Sequence, residues 1–299
     1  MEIIEDIPGN EDILLDSIKK YGSAPEHNFW YFLNIEDSNG KCRFFRFNGN
    51  IGIMAQFYKN GSCEMVSEVL APENKKAGIF QEFLQCALSK MKQKKAFVFV
   101  PTDFRNEINA MARDGNYRLS RQRTYHSPIF SLEKLDERLP GKSWKKIRNI
   151  RNSFYKKNKV EVLPSNEVSK KLLVNIVLEW KKNKNSYGRA DFTKYLNFIE
   201  NDFRGTKHAR TLIVNGKPST ITAGWSIPNR DVYYSAIGIH DYGCSHLGEI
   251  VNLDDLLFLK SKGNRQVNFG TSDKPLLSFK KKFNPDLMLK YHYFSIRIF

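Results

Sequence analysis

The sequence predicts an α/β (α+β) protein of two similar lobes in tandem, each a mixed, largely antiparallel sheet flanked by helices. Three observations predict it. The chain has 299 residues, long for one hydrophobic core, which seldom grows past ~250–300 residues, and well suited to two. One order of elements occurs twice: hairpin, amphipathic helix, short apolar strand, Thr/Asp turn, short helix, terminal strand. The segments AFVFVPTD and QVNFGTSD fall at equivalent places in the two passes. Self-similarity at domain length is the mark of a duplication. Two unrelated α/β units also look alike at this resolution, and that alternative stays open at this stage.

In the first pass, Asp12 to Tyr21 reads as a short helix. The runs WYFLNIED, CRFFRFNGN, IGIMAQFYKNG and SCEMVSEVLAP alternate or are rich in aromatic residues and end at polar turns, so they read as an antiparallel meander. Asn60-Gly61 is a strong hairpin turn. Ile79, Phe83, Ala87 and Met91 recur four apart and mark one face of a helix over Lys76 to Met91. AFVFV is a buried strand, after which Thr102 or Asp103 is placed to cap a helix reaching Arg113. Gly115 ends that helix, and a strand covers Arg121 to Leu132. Leu139-Pro140-Gly141 then forms a turn, which divides the chain into lobes 1–139 and 140–299.

The second pass opens on helices and continues with RTLIV, a Gly216-Lys217 turn, STITAGWSI, a Pro228-Asn229 turn and DVYYSAIGI. An amphipathic helix follows from about Leu247 to Lys262. QVNFG, a short helix through Lys282 and the strand LKYHYFSIRIF complete the order.

Charge narrows the range of partners. Lys and Arg number 48 against 32 Asp and Glu, a formal net charge of +16, which favours polyanions: nucleic acid, anionic headgroups or a phosphate-rich cofactor. The four cysteines stand too far apart for zinc or redox spacing and fit a reducing, cytoplasmic setting. The opening residues are acidic where a signal peptide is basic, and no apolar run approaches the ~20 residues of a membrane span. The expectation is therefore a cytoplasmic protein that meets a membrane, if at all, at its anionic surface.

Between Lys142 and Lys159 stand eight basic residues and no acid, with Trp144, Ile147, Ile150 and Phe154 at helical spacing. One face buries and the rest is densely positive. Like charges at i,i+4 repel by up to ~0.5 kcal/mol per pair, so a polyanion against Lys145, Arg148 and Arg151 would relieve the helix. A solvated linker helix is the competing explanation.

These residues also carry a family likeness. SWKKIRNIRNSFYKK resembles the basic segment that opens the second lobe of the Fem-type peptidyltransferases and of the phosphatidylglycerol lysyltransferase C-terminal family. HLGEIVNLDDLLFLKSKG is similar to their penultimate helix. KGNRQVNFGTSDKPLLSFKKKFNP resembles their strand, Gly-x-Ser turn and FK-K-F helix. The likeness covers Ser143 to Phe299 and is vaguer before that. It implies tandem acetyltransferase-like (GNAT) lobes. It further implies an acyltransferase that takes an aminoacyl group from aminoacyl-tRNA and delivers it to an amine or hydroxyl on a lipid- or peptide-type acceptor. On the motif match, Lys280 stabilises the developing oxyanion and the Phe279 backbone positions the attacking group. Thr271, Ser272 and Lys282 join Lys145, Arg148 and Arg151 as substrate contacts. The lysyltransferases usually carry a multi-span membrane domain, and this sequence contains no such segment, so the lipid acceptor is the weaker half of the implication.

Other chemistry is less well signalled. Glu249 lies where the second lobe's cleft opens and suits a general base, although first-turn acids commonly offset a helix dipole. Acyl-CoA binding needs Gly-rich backbone ahead of a helix. Gly78 and Gly243 are its candidates, and Phe80 spoils the first pattern. The six histidines lack metal-ligand spacing, so no metal and no required cofactor is expected. No Gly-x-Ser-x-Gly elbow and no Walker fingerprint occurs. Three readings remain: an aminoacyl-tRNA-dependent transferase, an acyl-CoA-dependent N-acyltransferase, and a non-catalytic polyanion-binding protein.

Overall fold

The computed structural model describes residues 1–183 and 192–299. The chain divides into two compact units. Unit one comprises 1–126, 227–230 and 289–299; unit two comprises 127–226 and 231–288.

Unit one begins with β1 (Glu2–Ile4), α1 (Glu11–Tyr21) and α2 (Phe29–Asn34). The antiparallel strands β2 (Gly40–Phe47), β3 (Ile51–Tyr58) and β4 (Ser62–Met65) follow. Then come α3 (Glu73–Leu84), β5 (Lys95–Pro101), α4 (Thr102–Asp114), β6 (Tyr117–Leu119) and the start of β7 (Arg123–Ser131). Helix α3 continues as a π turn, Gln85–Lys90. Strand β5 runs parallel to β4 for three residue pairs, Ser62↔Lys95 to Glu64↔Phe97. On its other side β5 takes the last strand of the chain from Tyr291 to Ile296.

Its core is aromatic. Phe45, Phe80 and Phe83 are essentially inaccessible, and Phe45 meets Phe83 edge to face at 4.9 Å. Burying a side chain of this kind contributes roughly 1.5–3 kcal/mol.

Unit two takes the remainder of β7, then α5 (Lys145–Lys157), β8 (Val160–Pro164), α6 (Lys170–Asn183) and α7 (Thr193–Glu200). Strands β9 (His208–Val214), β10 (Lys217–Pro218), β11 (Thr220–Ser226) and β12 (Tyr233–His240) form its antiparallel part, with β8 on β9. Helix α8 (Leu247–Ser261) leads to β13 (Gln266–Asn268), which lies parallel to β12 and antiparallel to β7. Helix α9 (Lys274–Lys280) and a 3-10 turn (Lys281–Phe283) precede β14 (Leu287–Ile298).

Three expectations change. WYFLNIED is not a strand: its first residues form α2, because the Asn28 side chain caps the helix by accepting the Tyr31 N–H at 3.0 Å. Phe29 and Phe32, i and i+3, are both buried, a helical period hidden in an all-aromatic run. Neither Thr102 nor Asp103 caps α4: Pro101 is the cap residue and no side chain takes that role. The units divide at His126 rather than Leu139, and β14 from Leu289 onward is counted with unit one. A strand joins whichever sheet edge its backbone pairs with, and turn residues do not signal that.

Candidate functional site

Unit two contains a fork. The parallel pairing of β12 with β13 consists of Tyr233↔Val267 and Tyr234↔Asn268 and ends there. Strand β12 continues to His240, while the other chain turns at Gly270 toward α9.

That turn is held from two sides. Buried Asn268 accepts hydrogen bonds at Oδ1 from the Gly270 N–H at 2.7 Å and from Ser127 Oγ at 2.6 Å. Gly270 has φ +72°, so glycine is favoured on conformation, and a Cβ there would come into contact with the Tyr234 ring at 3.4 Å. From the far side Lys280 reaches back, its Nζ donating to the Phe269 carbonyl and, at 3.1 Å, to the Gly270 carbonyl. Only 7% of Lys280 is exposed. An ammonium in such a place is costly unless its donors are used, and here they clamp the turn. Asp273 starts α9 by accepting the Leu276 N–H at 3.0 Å.

The other wall of the fork is the first turn of α8. Gly248 permits close approach: a Cβ there would lie 3.0 Å from the His240 ring and 3.5 Å from Phe279 Cζ. Glu249, next along, is buried and meets Lys282 Nζ at 2.8 Å, and that Nζ stands 4.8 Å from the Phe279 ring centre. His240 is held below its ordinary value chiefly by burial, against the pull of Glu249 and Asp241, so a neutral imidazole faces this turn.

One helical stretch further on, Asp255 is buried and accepts from Ser235 Oγ at 2.9 Å. Burial pushes its carboxyl up to about 6 despite the Ser235 bond and the charge of Arg210. Burial raises Asp254 as well, and Arg210 approaches it at 2.8 Å.

No protein-family model and no curated protein matches the chain. Solved structures do. One is the C-terminal domain of a putative lysylphosphatidylglycerol synthetase from Agrobacterium fabrum, at 11% identity, TM-score 0.66, covering 98% of this chain and 92% of that one. A tandem GNAT protein from the clavulanic acid biosynthesis pathway aligns at 10% identity and TM-score 0.59, over 98% and 97%. FemX aligns at 10% identity and TM-score 0.61, again over 98% and 97%. The chain has the tandem GNAT fold. At these identities the likeness speaks for the fold alone, and it spans both units.

The residues singled out in the sequence fall into three groups. Phe279, Lys280, Lys282, Glu249, Thr271 and Ser272 do gather at the fork, with Thr271 exposed and Ser272 buried, its Oγ donating to the Gly270 carbonyl at 3.4 Å. On α5, Trp144 and Ile147 belong to the same apolar cluster as Phe279 and Phe283. The charges of that helix have other engagements. Arg148 Nη1 donates to the Leu139 carbonyl and Arg151 Nη1 to the Glu137 carbonyl at 2.6 Å. Both guanidiniums bind the turn that leads into the helix, where Leu139 and Gly141 have positive φ. Lys145 is exposed at the first position of α5.

The two glycines differ from their expected setting. Gly78 is the sixth residue of α3, so its N–H belongs to the helix ladder and cradles no phosphate. Gly243 lies in the turn before α8, where its N–H donates to Asp241 Oδ1 at 2.8 Å. Asn268 escapes notice in the sequence, and His240 is set aside there with the other histidines for want of metal-ligand spacing. An asparagine two residues before a glycine is a weak turn signal, and a histidine at a strand end has none. Among the described residues no helix is long and apolar enough to cross a membrane.

Proposed function

We propose that the chain is an acyltransferase that moves an aminoacyl group from aminoacyl-tRNA to an amine or hydroxyl acceptor, with its chemistry at the fork of unit two. The observation that carries this reading is the buried ammonium of Lys280, fixed by the Phe269 and Gly270 carbonyls at the point where β12 and β13 part. A charge that is already immobilised and poorly hydrated costs no reorganisation when negative charge develops beside it. The fold likeness and the FKKKF segment support the same reading.

In this reaction the acceptor nitrogen or oxygen attacks the ester carbonyl carbon and the carbonyl oxygen becomes an oxyanion. The bond to the ribose oxygen then breaks, and the acceptor's proton ends on that leaving oxygen. Lys280 supplies the positive field for the oxyanion. Phe279, held between Gly248 and Phe283, presents its backbone to the attacking group. The Glu249 carboxylate takes the proton in transit, with Lys282 keeping it in place. The net charge of +16 supports a tRNA partner, by attraction to phosphates rather than by sequence readout.

The test is transfer from charged tRNA to amine and hydroxyl acceptors. Lys280→Met keeps the volume and removes the charge, and loss of one such preorganised donor costs about 10²–10³ in rate. Wild-type melting with undiminished transfer removes Lys280 from the mechanism. Saturable calorimetric binding of CoA without tRNA turnover would favour an acyl-CoA donor. Steeply salt-dependent tRNA binding with no turnover of either donor would leave a polyanion-binding protein.

A further inference from the structure

Unit two has a second polar concavity that the fork does not use. A cavity of about 640 Å³ opens between the end of β8, the turn before β9, the first residues of β9 and the last turn of α8. None of the fork residues named above lines it. Phe203 and Phe258 supply apolar wall, and Lys207, His208, Arg210 and Lys262 supply polar groups.

The charges in this cavity do not balance. Its acid, Asp202, is engaged by Lys170 at 3.0 Å, and Arg210 is engaged by Asp254. Lys207 and Lys262 have no carboxylate within ion-pair distance among the described residues. His208 lines the same cavity, and its ring meets Phe258 edge to face at 5.0 Å and stacks on Tyr233 at 6.1 Å. Its Nε2 is buried and has no hydrogen-bond partner, and neither has Arg210 Nη1 a well-aligned one. Buried polar atoms are almost always satisfied; with the ring nitrogen unmatched, Lys207 without a carboxylate and Lys262 held only over the Phe258 ring at 5.5 Å, this wall is complementary to an anion. The guanidinium of Arg210 lies 3.8 Å over the Phe258 ring, which holds it flat at the cavity wall.

We infer that this cavity is a binding site for a small phosphate-bearing molecule, its phosphate held by Lys207 and Lys262 beside the His208 ring and its less polar part lying along Phe258 and Phe203. Phosphate fits better than carboxylate because Lys207, just before β9, and Lys262, just after α8, bring donors from two elements, which suits a tetrahedral group with several acceptor oxygens. The volume lies in the usual range of small-molecule sites, roughly 300–1,000 Å³. The inference is independent of the transfer reaction proposed above.

The experiment is calorimetry on the full chain in phosphate-free buffer, with inorganic phosphate, a nucleoside monophosphate and phosphatidylglycerol vesicles as separate titrants. Lys207 and Lys262 are exposed, so K207Q/K262Q should fold normally, and K59Q/K75Q on unit one removes equal charge elsewhere. The expected result is saturable binding of phosphate or the nucleotide at one site. It should be at least tenfold weaker in K207Q/K262Q, weakened also in H208Q, and unchanged in K59Q/K75Q. Absence of saturable binding overturns the inference, as does equal weakening by both double variants. Binding to vesicles only also overturns it, because an open anionic surface would then be the ligand.

Discussion

The two units share a plan and differ in what they bury. Each has an antiparallel run of strands, a helix, and a strand returning parallel to the last of the run, β4 with β5 in one and β12 with β13 in the other. In unit one the buried polar side chains are uncharged types such as Gln56, Ser62, His27 and His292. Unit two buries Glu249, Asp255 and Lys280. The first turn of α3 is exposed where that of α8 is buried. Buried charge is costly and rarely improves on well-packed apolar residues. Unit one also holds a carboxyl raised by burial, Glu68, so the difference is one of degree: the clamped lysine and the least exposed acids are in unit two, in keeping with the chemistry proposed there.

That contrast can be broken by mutation, and the largest effect belongs to unit one. Phe83→Ala removes a fully buried ring from the Phe45–Phe80 cluster and should cost ~3–5 kcal/mol of stability by chemical denaturation. Transfer activity per folded molecule should not change. A rate defect exceeding the loss of folded protein would mean that unit one takes part in the reaction.

Asp255→Asn probes the buried charge itself. The folded carboxyl titrates at about 6, above its ordinary value of 3.8, so the native state binds the proton more tightly than the unfolded state does. Wild-type stability from this group is therefore fully present below pH 4 and is lost as pH rises toward 6, by about 3 kcal/mol. The variant lacks that loss. Denaturation at pH 4 and pH 7 should show the variant gaining on the wild type at the higher pH; a gap that does not move with pH would refute the assignment.

Two glycines in left-handed conformation sharpen the comparison further. Gly61 has φ +78° in the β3–β4 turn and Gly270 has φ +72° at the fork. Alanine at either should cost about 1–2 kcal/mol from backbone strain. Only Gly270→Ala should also lower the rate of transfer, because the turn gripped by Asn268 and Lys280 moves. The smallest effect is expected at the Glu249–Lys282 pair. A double-mutant cycle with Glu249→Gln and Lys282→Gln should give a coupling near the upper end for partly exposed pairs, ~1 kcal/mol. No coupling would detach Lys282 from the site.

Much of this was legible in the sequence, for a local reason. The four-residue spacing of Ile79, Phe83 and Ala87, the apolar and aromatic runs of β2 and β3, and the Asn60-Gly61 turn are patterns that neighbouring residues impose on one another. The likeness around FKKKF singled out the segment whose Lys280 is buried against the Phe269 and Gly270 carbonyls. The aromatic run at Phe29 was misleading because hydrophobicity without a polar counterpart has no readable period.

Sequence alone determined the two-unit plan, most helices and strands, and the strong positive charge, because each is a sum over local propensities or over residues. Tertiary structure alone decided that Lys280 turns inward while Lys281 stays in water, that Arg148 and Arg151 serve carbonyls of their own turn, and that the last strand is counted with unit one. A lysine on a short helix has the same local signature in either setting. What separates the two is whether distant backbone carbonyls arrive to satisfy its charge, and only the folded chain brings them there.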